Sequence, residues 1–413
     1  MNLIRSITKD FHANTMYLFA FSFALTPFFS SLSLILFSLT SLCYIKGEKP
    51  TKTRIISVFL FSFLFFLYLI GLFFTAFPSR GLELIIRVSP IIFVPLLIVL
   101  SKAYESLNYA KFKLAFSLGI FISCFVSLVY GLVRWFSLGD IKFILYFDHA
   151  ALFGLHPTYY SLYIITAMIF LSKAKITGIY KVMGFSLFSI SLLLLQSKLG
   201  ILLFIVLILY FMVVNLKRGQ RWFIALGVVV LVMVTTTVLL FKGNRINELF
   251  KKRDTIAMGN LEEDGISQRL WLWSTGIEHL KERPLLGFGF GSKDKLFEWK
   301  VAKDILITKH EYGYRKAVKV VSSWNLHNNY LQIAYEFGLV GLAFFLLTIF
   351  VIIRYVKTTN TFLTIYTLFL VVLLVEVALN RQMGIYFYSF ILGLLLFEPS
   401  RMYSKINQIN ELV

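Results

Sequence analysis

"SSWNLHNNYLQIAYEFGLVGLAFFLLTIFVII" occupies residues 322–353. Its apolar part is long enough to cross a bilayer, for which about 20 mostly apolar residues suffice. A helix that only spans has no use for His327, Asn328 and Asn329 at its start, or for Glu336 a few turns in. Ionisable groups within membrane helices cost at least about 2.5 kcal/mol at the bilayer centre and usually mark function. The stretch therefore reads as a membrane helix with chemistry at one end.

The rest of the chain has the same character. Of its 413 residues 58% are hydrophobic and 15% charged, and the mean hydropathy is +0.78; in soluble domains charged residues are about a quarter. Twelve apolar spans are expected, at 14–29, 31–46, 55–76, 84–100, 112–136, 156–172, 178–197, 199–215, 222–242, 329–353, 360–378 and 382–398. The two cysteines, Cys43 and Cys124, lie inside apolar runs and read as packing residues. No cleavable signal peptide is evident at the N-terminus.

A net charge of +20 would suggest nucleic acid in a soluble protein. Here the cations sit in short clusters between spans. With the N-terminus inside, nineteen basic residues, among them Lys49, Arg54, Lys102, Lys113, Lys173 and Arg354, fall on the cytoplasmic side. Outside the long 243–328 segment and Lys242 at its start, only Arg80, Arg87, Arg134, Lys142, Lys198 and Arg381 fall on the other. This asymmetry puts both termini in the cytoplasm and the long segment outside. Membrane lipids are the expected surroundings, and no nucleic-acid partner is expected.

The division is thus a membrane domain at 1–242, an extracytoplasmic helical loop domain at 243–328 between spans nine and ten, and a second membrane part at 329–413. Within the loop an amphipathic helix is expected from about 266 to 282, stopped by Pro284, and another near 293–303. "GFGFG" at 287–291 follows no strand of a βαβ unit, which excludes a nucleotide-binding reading.

Arg87, Lys198, Arg269, Arg381, His156 and His327 all fall near the outer leaflet. Arg80 and Arg134 read as snorkelling cations. Several cations at that depth suit a lipid-borne phosphate or pyrophosphate, arginine as a planar fork and lysine as a point charge. No carboxylate pair with metal-site spacing accompanies them, so neither metal nor cofactor is expected. If residues 327–350 form one straight helix, Glu336 lies about half a turn around from His327 and roughly 13 Å along the axis. The two then cannot pair, and Glu336 faces another span or the loop. His327 can be a helix cap or a general base. His156, before Pro157, reads as structural or substrate-lining, and His279 and His310 as packing residues. Gly338 and Gly341 are expected to admit a neighbouring helix.

"RLWLWSTGIEHLKERPLLGFGFGS" at 269–292, followed by "HNNYLQIAYEFGLVG" at 327–341, resembles the O-antigen ligase and polymerase superfamily. The resemblance rests on Arg269, Trp273, the Pro284–Gly291 turn, His327, Asn328, Leu331 and Gly338. It extends more loosely over the whole chain, through "HPTYYSLY" and "SKLG". Many members have Ser–Arg–Gly where this chain has Ser197, Lys198, Leu199 and Gly200, which keeps the charge but loses the fork. The resemblance implies a GT-C-like, metal-independent, inverting membrane glycosyltransferase of the bacterial inner membrane, with a periplasmic active site. Its donor would be a glycan on undecaprenyl pyrophosphate. The acceptor would be lipid A–core in a ligase, which the loop and the intact 327–341 element favour, or a second lipid-linked repeat unit in a polymerase. His327 and Arg269 would be catalytic; Lys198, Arg87 and Arg381 would bind pyrophosphate; His156, Asn328, Trp273 and Glu336 would line the substrate. A lipid-linked oligosaccharide transporter is disfavoured, because the polar residues keep to one leaflet and no internal repeat is visible.

Overall fold

The computed structural model describes residues 2–45, 49–215, 265–293, 325–356 and 358–399. The expected span at 222–242, the body of the loop helix near 293–303, and His310 lie outside these residues. Every regular element among the described residues is helical.

Helix α1 (Asn2–Ser22) ends earlier than hydropathy suggests. Thr26 then starts α2 (Pro27–Cys43), its hydroxyl accepting from Phe29 N, with Pro27 in the first turn. Cys43, at the end of α2, is exposed, whereas Cys124 is buried as expected. The third expected span is two helices, α3 (Lys52–Phe61) and α4 (Phe63–Gly71), bent by 54°. At the bend Ser62 donates to Ile91 O at 2.8 Å. Next come α5 (Pro78–Val88), α6 (Pro90–Leu100) and α7 (Tyr109–Leu138), then α8 (Pro157–Lys173), α9 (Gly178–Leu194) and α10 (Lys198–Asn215). The loop supplies α11 (Gly265–Leu280), and the C-terminal part supplies α12 (Asn329–Tyr355), α13 (Asn360–Val372) and α14 (Gln382–Leu396).

Pro78–Leu100, α7 and α12 are long and apolar enough to cross a membrane, and the bent α3–α4 pair qualifies as a fourth. Helices α2, α9, α13 and α14 are apolar but shorter. One expected span is corrected. Helix α13 stops at Val372 instead of running to 378, because Asn329 captures the chain that follows. Asn329 N donates to Leu373 O at 2.8 Å, and its side-chain oxygen accepts from Leu379 N at 3.0 Å. Residues 373–381 are therefore a connection between helices.

Helix α8 is the centre of the bundle, buried on every side from Pro157 to Leu171 and packed against α7, α9, α10 and α13. A helix apolar all round belongs in such a place. Large apolar side chains such as Phe73, Ile86 and Phe136 are exposed on the outer surface, as contact with lipid tails requires. Polar contacts collect at the two ends. At one, Lys113 pairs with Glu398, Thr359 also donates to Glu398, and Lys173 donates to Thr361. The opposite end gathers the starts of α5, α8, α10 and α12 with the 373–381 connection.

Candidate active site

The "HNN" triplet divides into three tasks. His327 is not part of α12. Its φ is 45°, and its amide donates to Asn325 Oδ1 at 2.8 Å. Asn328 is the true cap, accepting from Leu331 N at 2.9 Å. Asn329 holds the 373–379 segment, as described above. The assumption of one straight helix from 327 is thereby corrected. A non-glycine residue in the left-handed region costs of order 1 kcal/mol or more and tends to occur where function holds it.

Released from the helix, the His327 ring meets a carboxylate from another segment. Nδ1 lies 3.4 Å from Glu376 Oε2, and Arg269 donates to Glu376 Oε1 at 3.1 Å. The Glu376 side chain is only 5% exposed, so its charge is matched by the arginine. A carboxylate accepts only; in a neutral imidazole the proton must then sit on Nδ1, which leaves Nε2 as a free acceptor. Sequence reasoning tested Glu336 as the partner of His327 and left Glu376 unassigned. Glu376 is 49 residues from His327 and 107 from Arg269 along the chain, with no local pattern to link them.

Helix α11 explains the spacing of Arg269 and Trp273. Four residues apart, they share one face. Arg269 reaches Glu376, and the Trp273 indole N–H donates to Leu326 O at 2.8 Å, holding the residue before His327. Trp273 thus acts on the backbone that presents the histidine. Further along α11, His279 is buried, stacks on Phe288 at 4.3 Å and meets the Tyr335 hydroxyl at 3.1 Å. Burial lowers the pKa of His279, which suits a neutral packing residue.

Gly338 admits a backbone turn, where a neighbouring helix was expected. In a continuous helix Leu339 N would bond Tyr335 O, and Val340 N would bond Glu336 O. Instead α12 breaks at Gly338, with φ 68° and ψ −174°. Phe288 N takes Tyr335 O at 3.1 Å and Gly289 N takes Glu336 O at 2.8 Å. Leu339 N donates to Pro284 O at 2.8 Å and Val340 N to Leu285 O at 3.3 Å. All four orphaned groups are satisfied by the 284–289 turn. A Cβ on Gly338 would lie 2.0 Å from Leu285 O, and one on Gly287 2.6 Å from Gly338 N. Glu336 is buried beside this turn, its carboxylate accepting from Gln332 at 3.3 Å.

The remaining residues separate. His156 caps α8, its Nδ1 accepting from Thr158 N at 3.3 Å. It lies within electrostatic reach of Glu376, His327, Arg269 and Arg381. Arg381 is exposed, and among the described residues its guanidinium makes no hydrogen bond or ion pair. Lys198 opens α10, exposed, after a left-handed Gln196 (φ 45°) and a Ser197 hydroxyl that accepts from Gly200 N. Arg87 pairs with Glu83 at 3.6 Å, a carboxylate shared with Arg80. The structure thus brings His156, Arg269 and His327 together around Glu376, sets Arg381 within electrostatic reach of His156, and engages Arg87 elsewhere.

Among the described residues the protein is a bundle of apolar helices with two histidines, a carboxylate and an arginine gathered at one end. Residues 183–346 match the family model described as O-Antigen ligase. The match places that stretch, from α9 into α12, in the O-antigen ligase superfamily, a family of membrane glycosyltransferase-like ligases and polymerases. It includes Lys198, Arg269, Trp273, His327, Asn328 and Glu336, and leaves His156, Glu376 and Arg381 outside. No curated protein matches the chain.

Proposed function

We propose that the protein is an O-antigen ligase. It would move a glycan from undecaprenyl pyrophosphate to a sugar hydroxyl of lipid A–core at the periplasmic face of the inner membrane, within a twelve-span, GT-C-like architecture. The observation that carries this reading is the Arg269–Glu376–His327 constellation at the bundle end that charge asymmetry assigns to the periplasm.

In this mechanism Glu376 accepts a hydrogen bond from the Nδ1–H of His327, which keeps its proton, and aims Nε2 at the acceptor. The acceptor oxygen attacks the anomeric carbon while its proton passes to Nε2. The bond from that carbon to the pyrophosphate oxygen breaks, and its electron pair stays on the phosphate. One such displacement inverts the configuration. Glu376 then stabilises the imidazolium, as a triad carboxylate does. Arg269 commits a single bond to Glu376 and keeps further N–H donors for the developing charge. Lys198 and Arg381 would add positive charge for the pyrophosphate. Joining two lipid-linked repeat units uses the same groups with another acceptor, and the matched family includes such polymerases.

The test is His327→Ala in cells lacking the native gene, with surface polysaccharide resolved by gel and protein level checked. Ligation predicts long glycan stranded on the lipid carrier and none on lipid A–core. Persistence of single repeat units would transfer the reading to polymerisation, and unchanged polysaccharide would remove His327 from the chemistry.

A further inference from the structure

Tyr159, one turn into α8, is a buried residue that the mechanism above does not use. It is 7% exposed, and its hydroxyl has no hydrogen-bond partner among the described residues. A phenol left unpartnered in an interior costs about 1–3 kcal/mol, so a hydroxyl kept there points to a partner that arrives. Tyr159 is not remote. Its ring meets that of His156 edge-on, with centroids 5.8 Å apart, and it lies within electrostatic reach of Glu376 and Arg381.

The chemistry of its neighbours says what that partner is. Thr158 N donates to His156 Nδ1, so the neutral ring carries its proton on Nε2 and presents a donor. Arg381 offers a full set of side-chain donors, with no carboxylate on it among the described residues. Glu376, the one acid at the site among the described residues, already serves Arg269 and His327. Among the described residues donors therefore outnumber acceptors at this place. The N-terminus of α8, a helix of 17 residues, adds its positive end at the same place. A sugar, which presents as many donors as acceptors, fits this poorly. An oxyanion fits it well.

We propose that the Tyr159 hydroxyl, His156 Nε2 and Arg381 form the subsite that holds the pyrophosphate of the lipid-linked donor, opposite the His327–Glu376 pair that handles the acceptor. This rests on the ligase reading and divides the labour within it. Tyr159 is a positioning and charge-stabilising donor that touches the leaving group.

The test measures binding, apart from turnover, on the full-length protein in nanodiscs. The probes are undecaprenyl pyrophosphate, undecaprenol as a neutral control, and a phosphorylated lipid A–core acceptor. Wild type should bind the pyrophosphate lipid well above undecaprenol. Arg381→Gln should weaken that binding about tenfold or more, and the near-isosteric Tyr159→Phe about three- to tenfold. His327→Ala should lose transfer yet bind the pyrophosphate lipid as wild type does. Thermal melts of the variants check folding, and exposed Arg381 can be replaced without disturbing the core. Wild-type affinity in both Arg381→Gln and Tyr159→Phe would overturn the subsite and leave the ligase reading standing. Losses confined to the acceptor probe would also overturn it, assigning the groups to the acceptor's phosphates. No preference of the wild type for pyrophosphate over undecaprenol would remove the ligase reading and the subsite together.

Discussion

Replacing Glu376 by Gln removes one charge and almost no volume from the centre of the candidate site. Two contacts change. Arg269 loses its anion at 3.1 Å, and His327 Nδ1 faces an amide that can present its NH2 instead of an acceptor. Removing one partner of a fully buried ion pair costs about 3–5 kcal/mol. Arg269 is 30% exposed, so solvent screens what is left behind and the loss of stability should be roughly 1–2 kcal/mol. The catalytic effect is larger in proportion. A carboxylate that orients a working imidazole contributes about 10–100-fold, and the general base itself about 10²–10⁴-fold.

The assay is glycan transfer by purified protein in nanodiscs, with lipid-linked donor and lipid A–core acceptor, products resolved by gel. Glu376→Gln should lower kcat about 10–100-fold with donor KM within about threefold, and His327→Ala should lower it about 10²–10⁴-fold. The decisive variant is the double one. If Glu376 works through His327, Glu376→Gln adds little once the imidazole is gone. Full multiplication of the two losses would mean that the groups act independently, and the orienting role would be refuted. Wild-type turnover in Glu376→Gln would refute it more simply.

Three other outcomes follow from the packing. Gly338→Ala forces a Cβ to within 2.0 Å of Leu285 O at a φ of 68°, and should destabilise by about 3 kcal/mol or more, read as a melting temperature lowered by several degrees and poor membrane yield. Trp273→Phe keeps an aromatic ring but loses the bond to Leu326 O; about 1 kcal/mol of support for the 326–327 backbone goes with it, and kcat should fall severalfold while donor binding holds. Lys113→Met, at the far end of the bundle, breaks the pair with Glu398 and should lower thermal stability with no change in kcat, which a single-turnover assay can verify.

Much of this was legible in the sequence, for reasons that differ by residue. Apolar length is a property of local composition, so most of the described helices appear close to where hydropathy puts them. Arg269 and Trp273 were recognisable through the resemblance that they carry, and their four-residue spacing puts both on one helix face. Glu376 was not, because its role exists only when α11, α12 and the 373–381 connection meet. The early end of α13 was hidden for the same reason: residues 373–378 are apolar enough to continue a helix apart from Glu376, and the bonds that Asn329 makes to Leu373 and Leu379 come from a distant segment. The left-handed backbone at His327 takes its ring out of the straight helix that the sequence suggests. Tyr159 looked like one more aromatic in an apolar run until its hydroxyl proved to be unpartnered among the described residues.

The glycine turn and the broken helix make a single device. The Pro284–Gly289 backbone bonds to the two carbonyls and two amides that the break in α12 releases, so neither segment satisfies its backbone without the other. Helix α11 leads directly into that turn. Its distance from α12 is therefore set by four backbone hydrogen bonds and by the two close approaches at Gly287 and Gly338. Arg269 sits at the far end of α11, where it must reach a carboxylate brought in by Asn329 on α12. Two backbone clamps, one at each end of the α11–α12 contact, thus bring Arg269, His327 and Glu376 into register. The described loop residues 265–293 thus belong to the frame of the candidate site, and "PLLGFGFG" and "EFGLVG" are two halves of one joint.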